Sequence, residues 1–497
     1  MRLREILRDV PAQLVAGSDD VEIASIASDS RLVSKGALFV AIPGLKADGA
    51  HFIDAALQKG AAAIVTEQPA PSCEQCSMLR VADARAALAL MAANFYGRPA
   101  ERLSLVGVTG TSGKTTTTKM IESIFDAEEK PVGLIGTIEY RAGDERLVAD
   151  RTTPDAIVLQ QWFAKMVAAK VQHAVMEVSS HALALKRTLG IQFAAAVFTN
   201  LTQDHFDFHK DFEDYFAAKR MLFDQIDRSR RTAIVNADDA YGLRLVGELG
   251  DAVVTFGRDE SAAIHPQPGF RIDVTGLHGS VMTPAGEVRV ESSLVGAPNL
   301  SNWMAAIGAA LAVGMPITTV EAGIRNLQSV RGRFETVRSA NAGSPTVLVD
   351  YAHKPDALEK LLHAVRDLSA GRRVVVLFGC GGDRDKGKRA KMGAIAAQLA
   401  DAVVLTSDNP RGERPEAILD DIESGMSGAS HYTRITDRHE AIDRTIGEAT
   451  GRDVVVIAGK GHESYQVIGD QILHFDDREE AQLALKKHHE KNSHNGI

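Results

Sequence analysis

The segment SLVGVTGTSGKTTTTKM, Ser104 to Met120, constrains the fold more than any other stretch of this chain. An apolar, β-branched run ends in a Gly-rich turn, and a helix-compatible run starts at Lys114. Glycines let backbone N–H groups close around phosphate oxygens, and a helix N-terminus adds a favourable dipole. Lys114 can reach terminal phosphates, and the Thr115 hydroxyl suits Mg²⁺. The full phosphate-loop spacing needs glycine where Val108 stands, so Gly110, Thr111, Ser112, Gly113, Lys114 and Thr115 form a shorter variant. A bare Gly-Lys-Thr can also be an ordinary helix start; the strand before it and the helix after it favour the phosphate loop.

Such a unit needs a parallel sheet around it, and the sequence supplies one. HAVMEVS (His173 to Ser179), FAAAVFTN (Phe193 to Asn200) and TAIVN (Thr232 to Asn236) read as further strands with helices between them. That alternation predicts an α/β fold whose central parallel sheet is covered by helices on both faces. Upstream, ALFVAIPG, HFIDAALQKG and AAAIVTE read as strand, helix and strand of a smaller α/β domain. From Ile264 to Val295 Gly-punctuated alternation predicts a small antiparallel annex. Four more β-branched runs follow Arg333: TVLVDYA, RRVVVLFG, DAVVLTSD and DVVVIAGK. No G-x-G-x-x-G follows the first, so a dinucleotide site is unsupported. The polar end, KKHHEKNSHNGI, is expected to fray. The 497 residues exceed one ordinary core, and the composition shifts predict three domains, 1–100, 101–331 and 332–497.

A net charge of −9 argues against nucleic-acid binding by bulk charge. No uncharged apolar run is long enough to span a bilayer, and MRLREILRDVPAQL has no signal-peptide core. Three cysteines make no disulfide framework, so a cytoplasmic location is expected. Cys73 and Cys76 have no second pair nearby to complete a zinc site and read as incidental thiols. A GTPase-type switch would carry an N-K-x-D motif, which is absent.

Two strand ends carry polar clusters: Glu177, Ser179 and His181, then Asn200, Asp204, His205, Asp207 and His209. Ligands of open α/β sheets gather beyond the carboxyl ends of strands. Glu177 and His205 are therefore candidates to share Mg²⁺ with ATP, against a bland reading of loop polarity and helix capping.

Together these motifs resemble the Mur ligase family across nearly the whole chain. GTSGKTT (Gly110 to Thr116) is similar to its ATP loop, and EVSSHAL and TNLTQDHFDFH to its metal-binding segments. GAPNLSNWMAA, with Asn299 and Asn302, resembles the adenine-contacting segment; GRFE, with Arg333, and DYAHKPDAL, with Asp350, resemble the hinge and ribose segments. The resemblance implies a UDP-substrate domain, a central ATPase domain and a C-terminal Rossmann-like domain that binds an amino acid. It implies that ATP, with Mg²⁺, phosphorylates a carboxylate, which an amine then attacks. Lys114, Glu177, His205 and Lys219 are the implied catalytic residues, and Thr115, Glu177, His205 and Lys219 the implied metal ligands. Lys219 matches a lysine that the family carbamylates; an ordinary helix lysine is the alternative.

Within the family, Ser30 and the Leu45, Lys46, Ala47 turn resemble the uridine-binding segment of the branch that adds the third amino acid. Thr152, Thr153, Ser179 and Arg187 match contacts to the UDP-linked muramoyl peptide; Arg151 stands in place of the usual Asn and Leu185 where Gln is common. Asp408, Asn409, Pro410 and Arg411 match the D-N-P-R motif of diaminopimelate-adding members. An Arg fork suits the carboxylate that meso-diaminopimelate has and lysine lacks at the far end. Gly459 and Glu463 of GKGHE complement it. Arg384 is equally open as a contact to the near carboxylate and as a solvated loop charge. The implied substrates are ATP, UDP-N-acetylmuramoyl-L-Ala-D-Glu and meso-diaminopimelate, bound by a monomer.

Overall fold

The computed structural model describes residues 1–44, 48–69, 76–227, 232–337, 343–428 and 431–494, with side chains to residue 490. Leu45, Lys46, Ala47 and Cys73 lie outside the described residues. The chain forms two compact units: Met1–His265 with Met282–Gly286 and Asn302–Gly323, and Pro266–Val281 with Glu287–Ser301 and Ile324–Ile497.

The first unit contains a five-stranded and an eight-stranded sheet. The larger runs Val253–Phe256, Ala233–Asn236, Ala195–Phe198, Ser104–Thr109, His173–Glu177, Val132–Ile135, Glu139–Ala142, Glu145–Val148. Its first six strands are parallel. Their near-continuous burial explains why they read as unbroken apolar runs rather than alternation. Helix Lys114–Asp126 buries Met120, Ile121, Ile124 and Phe125, and Trp162, Phe163, Phe193 and Phe198 fill a neighbouring core. The last two strands are antiparallel, an edge the periodicity did not predict. They are four residues each, the outermost fully exposed, and turn at Gly143 with φ +63°. In the smaller sheet, order Ala12–Ala16, Ser77–Val81, Ala63–Thr66, Ala37–Val40, Ser25–Ala27, the first pair alone is antiparallel. It packs on helix Ala84–Phe95, whose Ala and Leu face joins that core.

The second unit is built on a six-stranded sheet: Glu335–Val337, Thr346–Asp350, Asp453–Ala458, Arg373–Phe378, Ala402–Leu405, Tyr432–Arg434. Successive strand residues point to opposite faces. Val374, Val376 and Phe378 accordingly meet Leu362, Met392 and Ile422 on one side, while Val375 and Leu377 meet Ile442, Ile446 and Leu485 on the other. The expected annex is present as short strands, with Arg271–Asp273 antiparallel to Gly276–Thr283. Helix Asp477–His494 extends into the polar end as far as His494. Ala481, Ala484 and Leu485 bury an apolar stripe, while Asp477, Glu479 and Glu480 favour its first turn. No helix among the described residues is long and apolar enough to cross a membrane.

Candidate active site

The loop after strand Ser104–Thr109 is shaped by two glycines. Gly110 has φ +147°, and a Cβ there would lie 1.9 Å from Thr199 Oγ1. Gly113 has φ +86°, and a Cβ there would lie 2.6 Å from Asn302 Oδ1. Lys114 Nζ donates to the carbonyls of Gly110 (2.8 Å) and Thr111 (2.9 Å), so its ammonium lies over the loop. The neighbouring strand end braces it: Ser112 N–H donates to Asn200 Oδ1 (2.9 Å) and Thr199 Oγ1 to the Ser112 carbonyl (2.6 Å). Thr117 donates to Asn302 Oδ1 at 3.3 Å, which ties Asn302 to the loop helix. Thr116 is buried.

Glu177, fully buried, meets the Thr115 hydroxyl at 3.0 Å. Its carboxylate also accepts from the Thr137 N–H (2.7 Å) and hydroxyl (3.0 Å). Thr137 Oγ1 lies 3.1 Å from Thr152 Oγ1. Thr153 donates to the Glu177 carbonyl (2.8 Å) and accepts from the Ser179 N–H (3.0 Å), while Arg187 donates to the Thr153 carbonyl (2.7 Å). Thus Thr115, Glu177, Thr152, Thr153, Ser179 and Arg187, spread over 73 positions, form one hydrogen-bonded group. Burial lowers the Arg187 pKa, helped by Arg151 and Arg85. Thr137 was not singled out in the sequence, although the strand-end rule that selected Glu177 also points to it.

Lys219 is buried and donates to the Gly110 carbonyl at 2.8 Å, the same oxygen that accepts from Lys114. Its ammonium lies 4.2 Å from the Tyr215 ring centroid. Burial, with the like charge of Lys114, pushes its pKa well below the ordinary lysine value. His205 sits at φ +56° with Nε2 3.4 Å from Asp204 Oδ2, its ring 4.7 Å from that of His181. His209, also buried, bridges Ser180 Oγ and Asp214 Oδ2, each at 3.0 Å, linking the histidine loop to the Glu177 strand end. Among the described residues no three His, Cys, Asp or Glu side chains gather as a metal site. The Thr115 and Glu177 oxygens still fit Mg²⁺, a hard cation that takes oxygen donors; Lys219 fits only as a carbamate.

In the second unit the D-N-P-R residues and GKGHE converge. Asn409 Nδ2 donates to Glu463 Oε2 at 2.9 Å. Arg411, at φ +52°, donates from Nη1 to the Gly382 carbonyl at 3.0 Å. A Cβ on Gly381 would lie 2.9 Å from Arg411 Nη1 and 3.7 Å from Arg384 Cγ, so Arg384 borders the same pocket. Gly459 has φ +116°, and a Cβ there would lie 3.7 Å from Asp408 Oδ2. Pro410 follows in the same buried run. Burial raises the Glu463 pKa, against the pull of Lys460. Sequence reading missed Lys460, which is fully buried beside Asp408 and Asn409. Asp350 accepts from the Phe334 (2.7 Å) and Ala352 (2.8 Å) amides; burial raises its pKa and Arg333 opposes the rise. The Arg333 guanidinium lies 4.7 Å from the Tyr351 ring centroid. Asn299 donates to the Val295 carbonyl at 2.9 Å. Ser30 lies in a short turn, its carbonyl accepting from Lys59 at 2.9 Å.

Three family models match in sequence order: the Mur ligase family catalytic domain over residues 22–96, the Mur ligase middle domain over 108–310, and the Mur ligase glutamate ligase domain over 332–461. A Gloeobacter violaceus protein named UDP-N-acetylmuramoyl-L-alanyl-D-glutamate–2,6-diaminopimelate ligase is 47% identical over 488 residues, 98% of each chain. A Clostridium acetobutylicum protein of the same name, numbered 1, is 43% identical over 96% of this chain and 98% of its own. A solved structure of a ligase with that name superposes with a TM-score of 0.72 at 31% identity, covering 98% of this chain and 99% of the other. The chain belongs to the Mur ligase family.

Proposed function

We propose that this protein is an ATP-dependent, ADP-forming ligase that adds meso-diaminopimelate to the D-Glu carboxylate of UDP-N-acetylmuramoyl-L-Ala-D-Glu in peptidoglycan precursor synthesis. The observation that carries it is the meeting of Asn409, Arg411 and Glu463 in one pocket, in a chain that also holds a Lys114 phosphate loop. Arg411 offers a fork to the far carboxylate, and Glu463 with Asp408 an acidic partner to the far ammonium. Arg384 takes the near carboxylate, and the Gly459 carbonyl the ammonium. We assign the substrate peptide to Thr152, Thr153, Ser179 and Arg187, and its uridine to Ser30 with Leu45, Lys46 and Ala47. To ATP we assign Gly110 to Thr116 and Asn302 in the first unit and, from the motif resemblance, Asn299, Arg333 and Asp350 in the second. The domains are 1–100, 101–331 and 332–497, and the enzyme works as a cytoplasmic monomer.

A carboxylate resists amine attack because its leaving group would be oxide. A D-Glu carboxylate oxygen attacks the γ-phosphorus of ATP, and the bond to ADP breaks. The Lys114 ammonium offsets charge on the transferring phosphoryl group. The amine nitrogen then attacks the acyl carbon; phosphate leaves, and the nitrogen loses a proton. Thr115, Glu177, His205 and a carbamate on Lys219 would hold Mg²⁺, which supplies positive charge beside the phosphates when bound. A neutral Lys219 amine, favoured by its burial beside Lys114, is the form that adds CO₂. Phosphate release measured with diaminopimelate, with L-lysine and with neither, plus product mass, tests the assignment. Release with lysine alone would keep the ligase and overturn the amino acid.

A further inference from the structure

The chemistry above leaves Lys460, a buried cation of the pocket, unused. Lys460 Nζ lies 3.1 Å from Asn409 Oδ1, 3.4 Å from Asp408 Oδ1 and 3.7 Å from Glu463 Oε2. It lies 5.7 Å from the Tyr465 ring centroid. The protein's own ammonium therefore stands among the acids that face the far end of the incoming amino acid. It also decides which way the Asn409 amide points. Asn409 Oδ1 accepts from Lys460 and from the Val467 N–H at 2.9 Å, so Nδ2 is the atom turned to Glu463. Both donors would face another donor if the amide flipped.

We propose that Lys460 is a specificity-determining positioning residue: its ammonium offsets Asp408 and Glu463 and fixes the Asn409 amide, matching the pocket to a zwitterionic end rather than a lone ammonium. The proposal rests on the ligase function assigned above. With Lys460 in place, the two acids are partly neutralised and Arg411 supplies the charge that a far carboxylate needs. Without it, Asp408 and Glu463 become adjacent acids with no cation between them. The charge of Asp408 already adds to the cost of ionising Glu463. Such a pair gains most from a ligand end that brings a positive charge and no negative one, which is lysine. Arg438 also bears on both acids but is committed to Asp477, with contacts of 2.7 Å.

The test compares kcat/KM for meso-diaminopimelate and L-lysine in the wild type, Lys460→Met and Lys460→Arg. Lys460→Met should lower the diaminopimelate-to-lysine ratio by about tenfold or more, whereas Lys460→Arg should keep it near the wild-type value. The ratio does not depend on how much of a sample folds, and Lys460→Gln replaces the methionine variant should that fail to fold. A neutral variant in which both substrates lose activity in proportion would overturn the proposal, leaving Lys460 a structural residue. Failure of the wild type to use diaminopimelate would instead defeat the underlying ligase assignment.

Discussion

Arg411→Ala should separate amino-acid recognition from ATP use. Two features make it a clean perturbation. The backbone N–H of Arg411 donates to the Val467 carbonyl (3.0 Å) and its carbonyl accepts from Gly469 (2.8 Å), and both bonds survive truncation. The residue sits at φ +52°, and alanine keeps the same β-carbon strain, so the stability cost is confined to the lost Nη1 hydrogen bond to the Gly382 carbonyl, about 1 kcal/mol. Truncating one partner of a fully buried charge pair costs about 2–5 kcal/mol. Arg411 is half-buried, so solvent screening places the loss in the lower half, about 2–3 kcal/mol or about 30- to 150-fold in kcat/KM for diaminopimelate. Arg411→Lys should fall between, because it keeps the charge and loses the fork. The assay is initial-rate phosphate release at varied diaminopimelate, then at varied ATP with diaminopimelate saturating. An unchanged kcat/KM for diaminopimelate, or an equal loss in the ATP dependence, would refute the assignment of the far carboxylate to Arg411.

Other tests address the remaining pieces. Lys219 folds with a lowered pKa, so below the ordinary lysine value the unfolded chain binds a proton that the folded chain does not. In CO₂-free buffer, urea titrations should therefore show wild-type stability rising with pH relative to Lys219→Met; equal slopes would contradict the buried neutral amine. His353 is pushed down to about 4 by burial. The unfolded state protonates first, so stability should fall as pH drops from about 6.5 towards about 4, and His353→Gln should flatten that loss. Gly110→Ala should abolish ATP binding by calorimetry, because its Cβ would strike Thr199. Gly97→Ala, also at positive φ (+73°) but with nothing within 4 Å, should cost only about 1–2 kcal/mol in denaturant melts and leave binding intact.

The phosphate loop was legible because its signal is local: a strand, two glycines and a helix start lie within seventeen residues. The parallel strands were legible because burial on both faces leaves unbroken apolar runs. The edge hairpin was not: Glu139–Ala142 alternates over only four residues, too few to signal a strand, and its partner Glu145–Val148 is exposed, begins with two charges and does not alternate. Contacts of high sequence separation were equally hidden. Thr137 joins Glu177 across 40 positions and Lys460 joins Asn409 across 51. Residue type told nothing about either partner; chain topology supplied both. The motif resemblance supplied the candidate residues for each substrate subsite, whereas the buried lysine beside Asp408 and Asn409 needed coordinates.

The most direct test of the central claim is phosphate release from ATP and Mg²⁺ with UDP-N-acetylmuramoyl-L-alanyl-D-glutamate, given meso-diaminopimelate, L-lysine or no amino acid, with mass analysis of the product. We predict release coupled to a diaminopimelate-containing tripeptide with diaminopimelate alone. Folded, ATP-binding protein that forms no amide with either amino acid would contradict the account.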